Sequence, residues 1–536
     1  MSINNKVSKT FKKLLITTAI SSIAFSSNDA LAINRTSVNL ESRTNVNADW
    51  NPVGPVASGD TLFFGGAHTI YNNPGNGVSR FNTNGQTGNL VISREGAGSF
   101  SINSITGTGS KATVILRGTG NRPIYNVQTT DISQMGTVEY EVNSRFFLNA
   151  NNIKTAAAFV SGFRVGELGT RPGITGVEFS GNFDNFHPSF FTLESNSEVI
   201  LSTSKLVTRA IVAHSGSILT INTDVFIDVD LNLHTGGTVI VNDGKNITAN
   251  SRVVNLNDGK LRFLNSGSLT TGFITIKDVE IGSGQVTIDT NNYSPINTSF
   301  TAAGGTILLN NTGDTTFNTT VKSTTGATNG TIIVDSPSKT VTFQGTFSNN
   351  ANELVKDLVV KSGSKATFTT DLNLSGKLDL SDGGTVSVNS GINLNVPTLA
   401  LSTASTGTLD FKGNANVNFN IGDPTTIGTV GVSNGNVDFS GTIFKTTNTN
   451  LTNVNAILTF SKNAPVSVNS NFRSNSNGNI GKLVIDNSNT VTIGGSFSNT
   501  ANDQISEILV KAGSKLILNT ELNLSGKETS KNNFNI

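Results

Sequence analysis

A long internal repeat is the feature that most narrows what this chain can fold into. Thr340-Val341-Thr342-Phe343, Gly345 and Phe347-Ser348-Asn349 return as Thr490-Val491-Thr492-Ile493, Gly495 and Phe497-Ser498-Asn499. The match continues from Val360-Lys361-Ser362-Gly363-Ser364-Lys365 to Val510-Lys511-Ala512-Gly513-Ser514-Lys515, always at an offset of 150. It closes on Leu372-Asn373-Leu374-Ser375-Gly376-Lys377 against Leu522-Asn523-Leu524-Ser525-Gly526-Lys527. A more diverged copy lies upstream, where Leu231-Asn232-Leu233 and Gly237-Thr238-Val239 match Leu378-Asp379-Leu380 and Gly384-Thr385-Val386 at an offset of 147. Val177-Glu178-Phe179-Ser180-Gly181-Asn182-Phe183 opens that copy, with an insertion before Ile211. Agreement over this length shows that a large segment is duplicated.

A shorter period sits inside the long one. Leu358-Val359-Val360, Leu378-Asp379-Leu380 and Leu399-Ala400-Leu401 follow one another at a spacing of about 20 residues. Ala366-Thr367-Phe368, Val386-Ser387-Val388 and Leu409-Asp410-Phe411 make a second series. Leu372-Asn373-Leu374, Ile392-Asn393-Leu394 and Val417-Asn418-Phe419 make a third. Each triplet alternates apolar, any, apolar, so two side chains share one strand face. Gly363, Gly376, Gly383-Gly384 and Gly391 fall between triplets, where the chain must turn a corner. Three short strands per coil of about 20 residues predict an all-β fold, a right-handed parallel β-helix (β-solenoid). A β-sandwich array is the alternative, but it calls for hairpin dipeptides at regular intervals, and these are missing.

Composition supports that reading. Only 14% of the residues are charged, 35% are apolar, and the chain carries 54 Gly and 31 Phe but no Cys. The apolar residues are clustered, so burial can offset the ordering entropy that would keep a purely polar chain disordered. Without cysteine there is no disulfide framework, zinc–thiolate site or thiol nucleophile.

The N-terminus has the three parts of a secretory signal in order. Lys6, Lys9, Lys12 and Lys13 precede the uncharged apolar run Leu14 to Phe25, and Ala30-Leu31-Ala32 forms an A-x-A cleavage site. Cleavage between Ala32 and Ile33 leaves 33 basic against 35 acidic residues, a formal charge of −2. Such a balance argues against a nucleic-acid partner, and no later stretch is long and apolar enough for a transmembrane helix. The expected organisation is signal peptide 1–32, an N-terminal cap with diverged first coils 33–170, β-helix repeats 171–527, and an irregular tail 528–536. The last copy stops at Ile536 part-way through a coil, which reads as a shortened product of a longer gene.

Chemistry-bearing patterns are sparse. His68, His187, His214 and His234 show no metal-site spacing, and His214 and His234 occupy expected exposed corners. Asp224, Asp228 and Asp230 could converge on one face for calcium, but the glycine–aspartate nonapeptide of calcium-binding solenoids is absent, so they read as a solvated face. Gly107-Thr108-Gly109-Ser110-Lys111 lacks the spacing of a phosphate loop, and Asp243-Gly244-Lys245 and Asp258-Gly259-Lys260 read as turns. No catalytic, cofactor-binding or metal residue is assigned, and the chain is expected not to be an enzyme. A polysaccharide lyase would need a carboxylate and basic cluster that the pattern does not supply.

Units such as LVVKSGSKATFTTDLNLSGKL and GTVIVNDGKNITAN, behind a Lys-rich signal, resemble the surface cell antigens of rickettsiae, autotransporters of the outer membrane protein A and B type. That resemblance implies a passenger displayed at the bacterial surface that acts in adhesion to host cells. It also implies export through Sec and an outer-membrane translocator, and a host-cell receptor or surface glycan as partner. Residues 300–536 carry solenoid triplets and not the long alternating strands of the family's C-terminal barrel. Tyr71-Asn72-Asn73-Pro74-Gly75-Asn76-Gly77 is similar to the N-terminal region of two-partner-secreted exoproteins, which use a separate transporter. The alternatives to an adhesin are a structural surface coat or a split autotransporter fragment, with a β-helix polysaccharide lyase-like enzyme as the third reading.

Overall fold

The computed structural model describes residues 190–526, apart from short breaks at 194, 204–205, 234–235, 325–328, 381–382, 402, 476–477 and 479. Outside that span it describes the backbone of strands between Asn34 and Gly181 and of Thr529–Ser530. The chain divides into two compact units, Met1–Ser161 with Gly181–Asn185, and Gly162–Ser180 with Phe186–Ile536.

In the first unit His68–Asn72 pairs in parallel with Asn89–Arg94, which pairs with Thr113–Gly118, which pairs with Thr137–Val142. The strand Asn34–Ser37 pairs antiparallel with Trp50–Asn51.

The second unit is a parallel β-solenoid with three strand columns. One column runs without a break from Phe191 through Ile211, Leu231, Val253, Ile274, Tyr293, Phe317, Phe343, Phe368, Val388, Phe411 and Val432 to Leu451. A second links Leu206, Val225, Ile247, Leu269, Ile288, Leu309, Val334 and Val360. The third begins Val199, Leu219, Val239, Leu261, Val279, Thr298 and Val321. Coil length is not constant: the step from Ile274 to Tyr293 falls just short of the expected period, and that from Phe317 to Phe343 exceeds it.

The alternation read from the triplets is the burial pattern of the strands. Thr320–Ser323, Thr340–Phe343, Lys365–Phe368 and Thr490–Ile493 each bury their second and fourth residues. Apolar side chains therefore stack on their own counterparts one coil away, a spacing of about 4.8 Å. Tyr293 stacks on Phe317 with ring centroids 4.6 Å apart, and Phe343 on Phe368 at 4.9 Å. Phe317 and Phe343 join these pairs into one aromatic column, tilted at 5.1 Å.

Two groups of buried hydroxyls satisfy one another inside the core. The Tyr293 hydroxyl lies 3.0 Å from that of Thr298, which lies 3.0 Å from that of Thr319. Thr446, Thr449 and Ser470 make a comparable trio, with oxygens 2.6 to 3.0 Å apart. Burial pushes the Tyr293 phenol well above its usual range, opposed by the Thr298 hydrogen bond. A raised folded-state pKa keeps its stability below the unfolded value and loses it as pH rises. Stability is thus expected to fall from about pH 10 upward, less steeply in Tyr293→Phe, as read from urea midpoints between pH 8 and 11.

The long repeat is not a whole number of coils. Phe343 belongs to the column followed above to Leu451, which carries on through Phe472 to Phe497, yet its repeat partner Ile493 pairs down through Val468 to Phe444 and Ile421. Phe444 and Leu451 lie on one bent strand, Ile443–Leu451, in different columns of the same coil. Val360 and Val510 separate in the same way. The column of Val510 descends through Ile485, Phe460, Phe439, Val417 and Leu394 to Leu372, while Leu358 pairs with Leu378 and then Leu399. Upstream, Leu231 sits in the column of Val388 and not in that of its sequence match Leu378. One repeat therefore spans six full coils and two further strands, and each copy is turned by one face relative to the last. At about 4.8 Å per coil, equivalent residues recur roughly 32 Å along the axis.

Two local expectations are corrected. Asp243-Gly244-Lys245 is a turn, with Gly244 at a φ of 70°, but Asp258-Gly259-Lys260 lies within the strand Lys245–Phe263, whose pairing shifts register between Asn255 and Lys260. A shift of register lets the backbone change face without a reverse turn. In the third triplet series, Leu372 pairs with Leu394 and not with Ile392, and Leu394 with Val417. A two-residue slip preserves which side chains point inward, so the triplet pattern could not distinguish the two registers.

Candidate binding surface

The most elaborately held exposed features of the second unit are two loops that occupy equivalent places in the long repeat. Each follows a buried phenylalanine, Phe347 or Phe497, that pins the loop's start to the core. In the first loop the Ser348 hydroxyl donates to Glu353 Oε2 at 3.1 Å, and the Glu353 N–H donates to the Asn350 carbonyl at 2.8 Å. In the second, Ser498 donates to Asp503 Oδ2 at 3.0 Å, and the Asp503 N–H to the Thr500 carbonyl at 2.9 Å. Each acidic residue's carbonyl then accepts from the coil below, from Ser323 N–H at 2.8 Å or Ser474 N–H at 2.9 Å. The second loop is braced further by Arg473 Nη2, 3.1 Å from Asp503 Oδ2, and by the Asn475 N–H, 2.7 Å from Asp503 Oδ1.

These bonds hold the loop tips outward. Asn349, Asn350, Ala351 and Asn352 are exposed, as are Asn499, Thr500, Ala501 and Asn502. Because of the repeat's displacement, the two tips stand on successive faces of the solenoid. The sequence showed their recurrence but not their geometry. A Ser shortly before an acidic residue, at the same place in both copies, was the signal available.

Many polar side chains elsewhere on the surface are zipped to those of the next coil. Asp371 accepts from the Asn393 N–H at 2.8 Å and the Asn393 side-chain amide at 3.1 Å, and Asn416 donates to Asn393 at 2.7 Å. Asn395 donates to Asn373 at 2.8 Å. Such amide ladders satisfy each coil through the next.

The residues considered for metal chemistry are used in the same way. Asp224 accepts from both the N–H and the side-chain amide of Asn246 at 3.0 Å, and Asp228 lies 3.4 Å from the Asn250 amide. Asp230 is half-buried and also engaged. Among the described residues no group of three or more His, Cys, Asp or Glu is placed to hold a metal ion. His214 is half-buried rather than exposed, in the turn after Leu206–Ala213, where its N–H donates to the Leu193 carbonyl at 3.0 Å. Its own carbonyl accepts from the Ser217 hydroxyl at 2.6 Å. His187, His234 and the cleavage-site residues Ala30, Ala32 and Ile33 lie outside the described residues.

Lys377 bridges to Asp379 at 2.8 Å, and that hydrogen bond raises the lysine pKa against a smaller desolvation effect. With the lysine side chain 43% exposed, this pair is a surface brace worth little to stability. No helix of the described residues is long and apolar enough to cross a membrane. Comparison with protein-family models, with curated proteins and with solved structures gives no match.

Proposed function

We propose that the chain is an exported surface antigen, a passenger-like scaffold of the rickettsial autotransporter type, acting at the bacterial surface in adhesion to host cells. Sec export with cleavage between Ala32 and Ile33, followed by passage through an outer-membrane translocator, would deliver it there. The observation that carries the adhesive reading is the pair of hydrogen-bonded loops at Ser348–Glu353 and Ser498–Asp503, held alike on successive faces. A loop already fixed in one conformation loses little entropy when it meets a partner. Two such loops on one rigid support also add through effective concentration wherever the partner surface reaches both.

The test is saturable binding of the fluorescently labelled full chain to cultured host cells. Combined substitution of Asn350, Asn352, Thr500 and Asn502 by lysine is expected to reduce binding at least tenfold while the circular dichroism spectrum is unchanged. Absence of saturable binding by the unsubstituted chain would assign it to a structural coat with no specific ligand.

A further inference from the structure

A second surface stands apart from the loops. A cleft of about 450 Å³ opens along one corner of the solenoid, where Ser294-Pro295-Ile296, Asn318-Thr319-Thr320 and Gln344-Gly345-Thr346 lie on three successive coils. Ile296 is 49% exposed, one of four large apolar side chains so placed among the described residues. Pro295 is buried beside it, so the floor is a small apolar step. At the upper end Gly345 packs directly on the Thr319 backbone, where a side chain would not fit.

The polar side chains of the rim are not engaged with the protein. Among the described residues, those of Asn318, Thr320, Gln344 and Thr346 make no hydrogen bond, whereas several amides at other corners are laddered coil to coil. None of the residues lining the cleft is charged.

We infer that this cleft is a binding site for a neutral oligosaccharide. Amide and hydroxyl side chains offer donors and acceptors together, which is what sugar hydroxyls require. An apolar step of Pro–Ile size matches the C–H face of one pyranose ring, and converging polar groups around such a floor are the usual form of a ligand site. The polar groups recur once per coil, about 4.8 Å along the axis, close to the length of one pyranose residue in a chain. A polyanionic glycan would instead need paired cations, and the cleft supplies none. The second copy contains its own control. The register equates Tyr293 with Phe444, so Lys445-Thr446-Thr447 replaces Ser294-Pro295-Ile296 and the apolar step is lost.

Isothermal titration of the full chain with cellohexaose, maltohexaose and chitohexaose, with hexagalacturonate as the charged comparison, tests the assignment. At least one neutral hexamer is expected to bind with one site per chain, and hexagalacturonate more than tenfold more weakly. Ile296→Asp is expected to lower that affinity more than tenfold, and Gln344→Ala severalfold. Both side chains are exposed, so the thermal midpoint should not move. No binding by any neutral hexamer at millimolar concentration, equal binding of hexagalacturonate, or affinity unchanged in Ile296→Asp would each overturn it. The loop variants that test adhesion leave the cleft intact, so the two readings fail separately.

Discussion

Phe343→Ala is expected to destabilise the middle of the solenoid by about 3–5 kcal/mol, the range for removing a fully buried aromatic side chain. Phe343 is fully buried and touches three other rings, Phe317, Phe347 and Phe368. Its neighbours above and below are held in register by the strand ladder, so they cannot collapse into the space it leaves. Coils contact only adjacent coils, and the damage should therefore stay local. Hydrogen exchange is the suitable measurement, because a long repeat array need not unfold in one step. Amides of Thr315–Phe317 and Lys365–Phe368 should lose protection, while those of Ile457–Phe460 keep theirs. Uniform loss across all three would show that the solenoid unfolds as one unit.

The second large effect comes from adjacent glycines that differ only in what lies below them. A Cβ on Gly495 would meet the backbone of Ser470, whereas one on Gly494 has only the Val468 carbonyl oxygen nearby, at 3.9 Å. Backbone cannot move aside without disturbing the ladder, so Gly495→Ala is expected to cost about 3 kcal/mol, the upper part of the range for overpacking. Gly494→Ala is expected to be neutral or slightly stabilising, because the unfolded chain loses freedom. Thermal midpoints of the two variants, measured side by side, check the prediction. Equal midpoints would show that the corner opens readily enough to admit a methyl group.

Much of the architecture was legible in the sequence because stacking makes local pattern and tertiary neighbour coincide. Leu358, Leu378 and Leu399 follow one another in sequence at one coil's spacing, and they pair in that order. Ala366, Val386 and Leu409 behave alike. Period two within each triplet also announced the buried face. Register was less legible, as Leu372 and Leu394 show, since a two-residue slip leaves the same side chains inside. The corner cleft was not legible at all. Ile296, Asn318 and Gln344 each come from a different coil, and nothing in their local sequences distinguishes them from residues that ladder.

By itself, then, the sequence determined that the chain coils, which residues fill the interior, and that one long unit recurs. Alternation and glycine placement are enough for that, because each strand's inward face depends only on its own residues. Only the tertiary structure decided which face each copy occupies. Face is set by the number of strands passed. Coils of unequal length, bent strands such as Ile443–Leu451 and register shifts such as that after Asn255 hide that number. Two strands beyond six full coils turn each copy by one face, and so carry the two similar loops to different sides of the same solenoid.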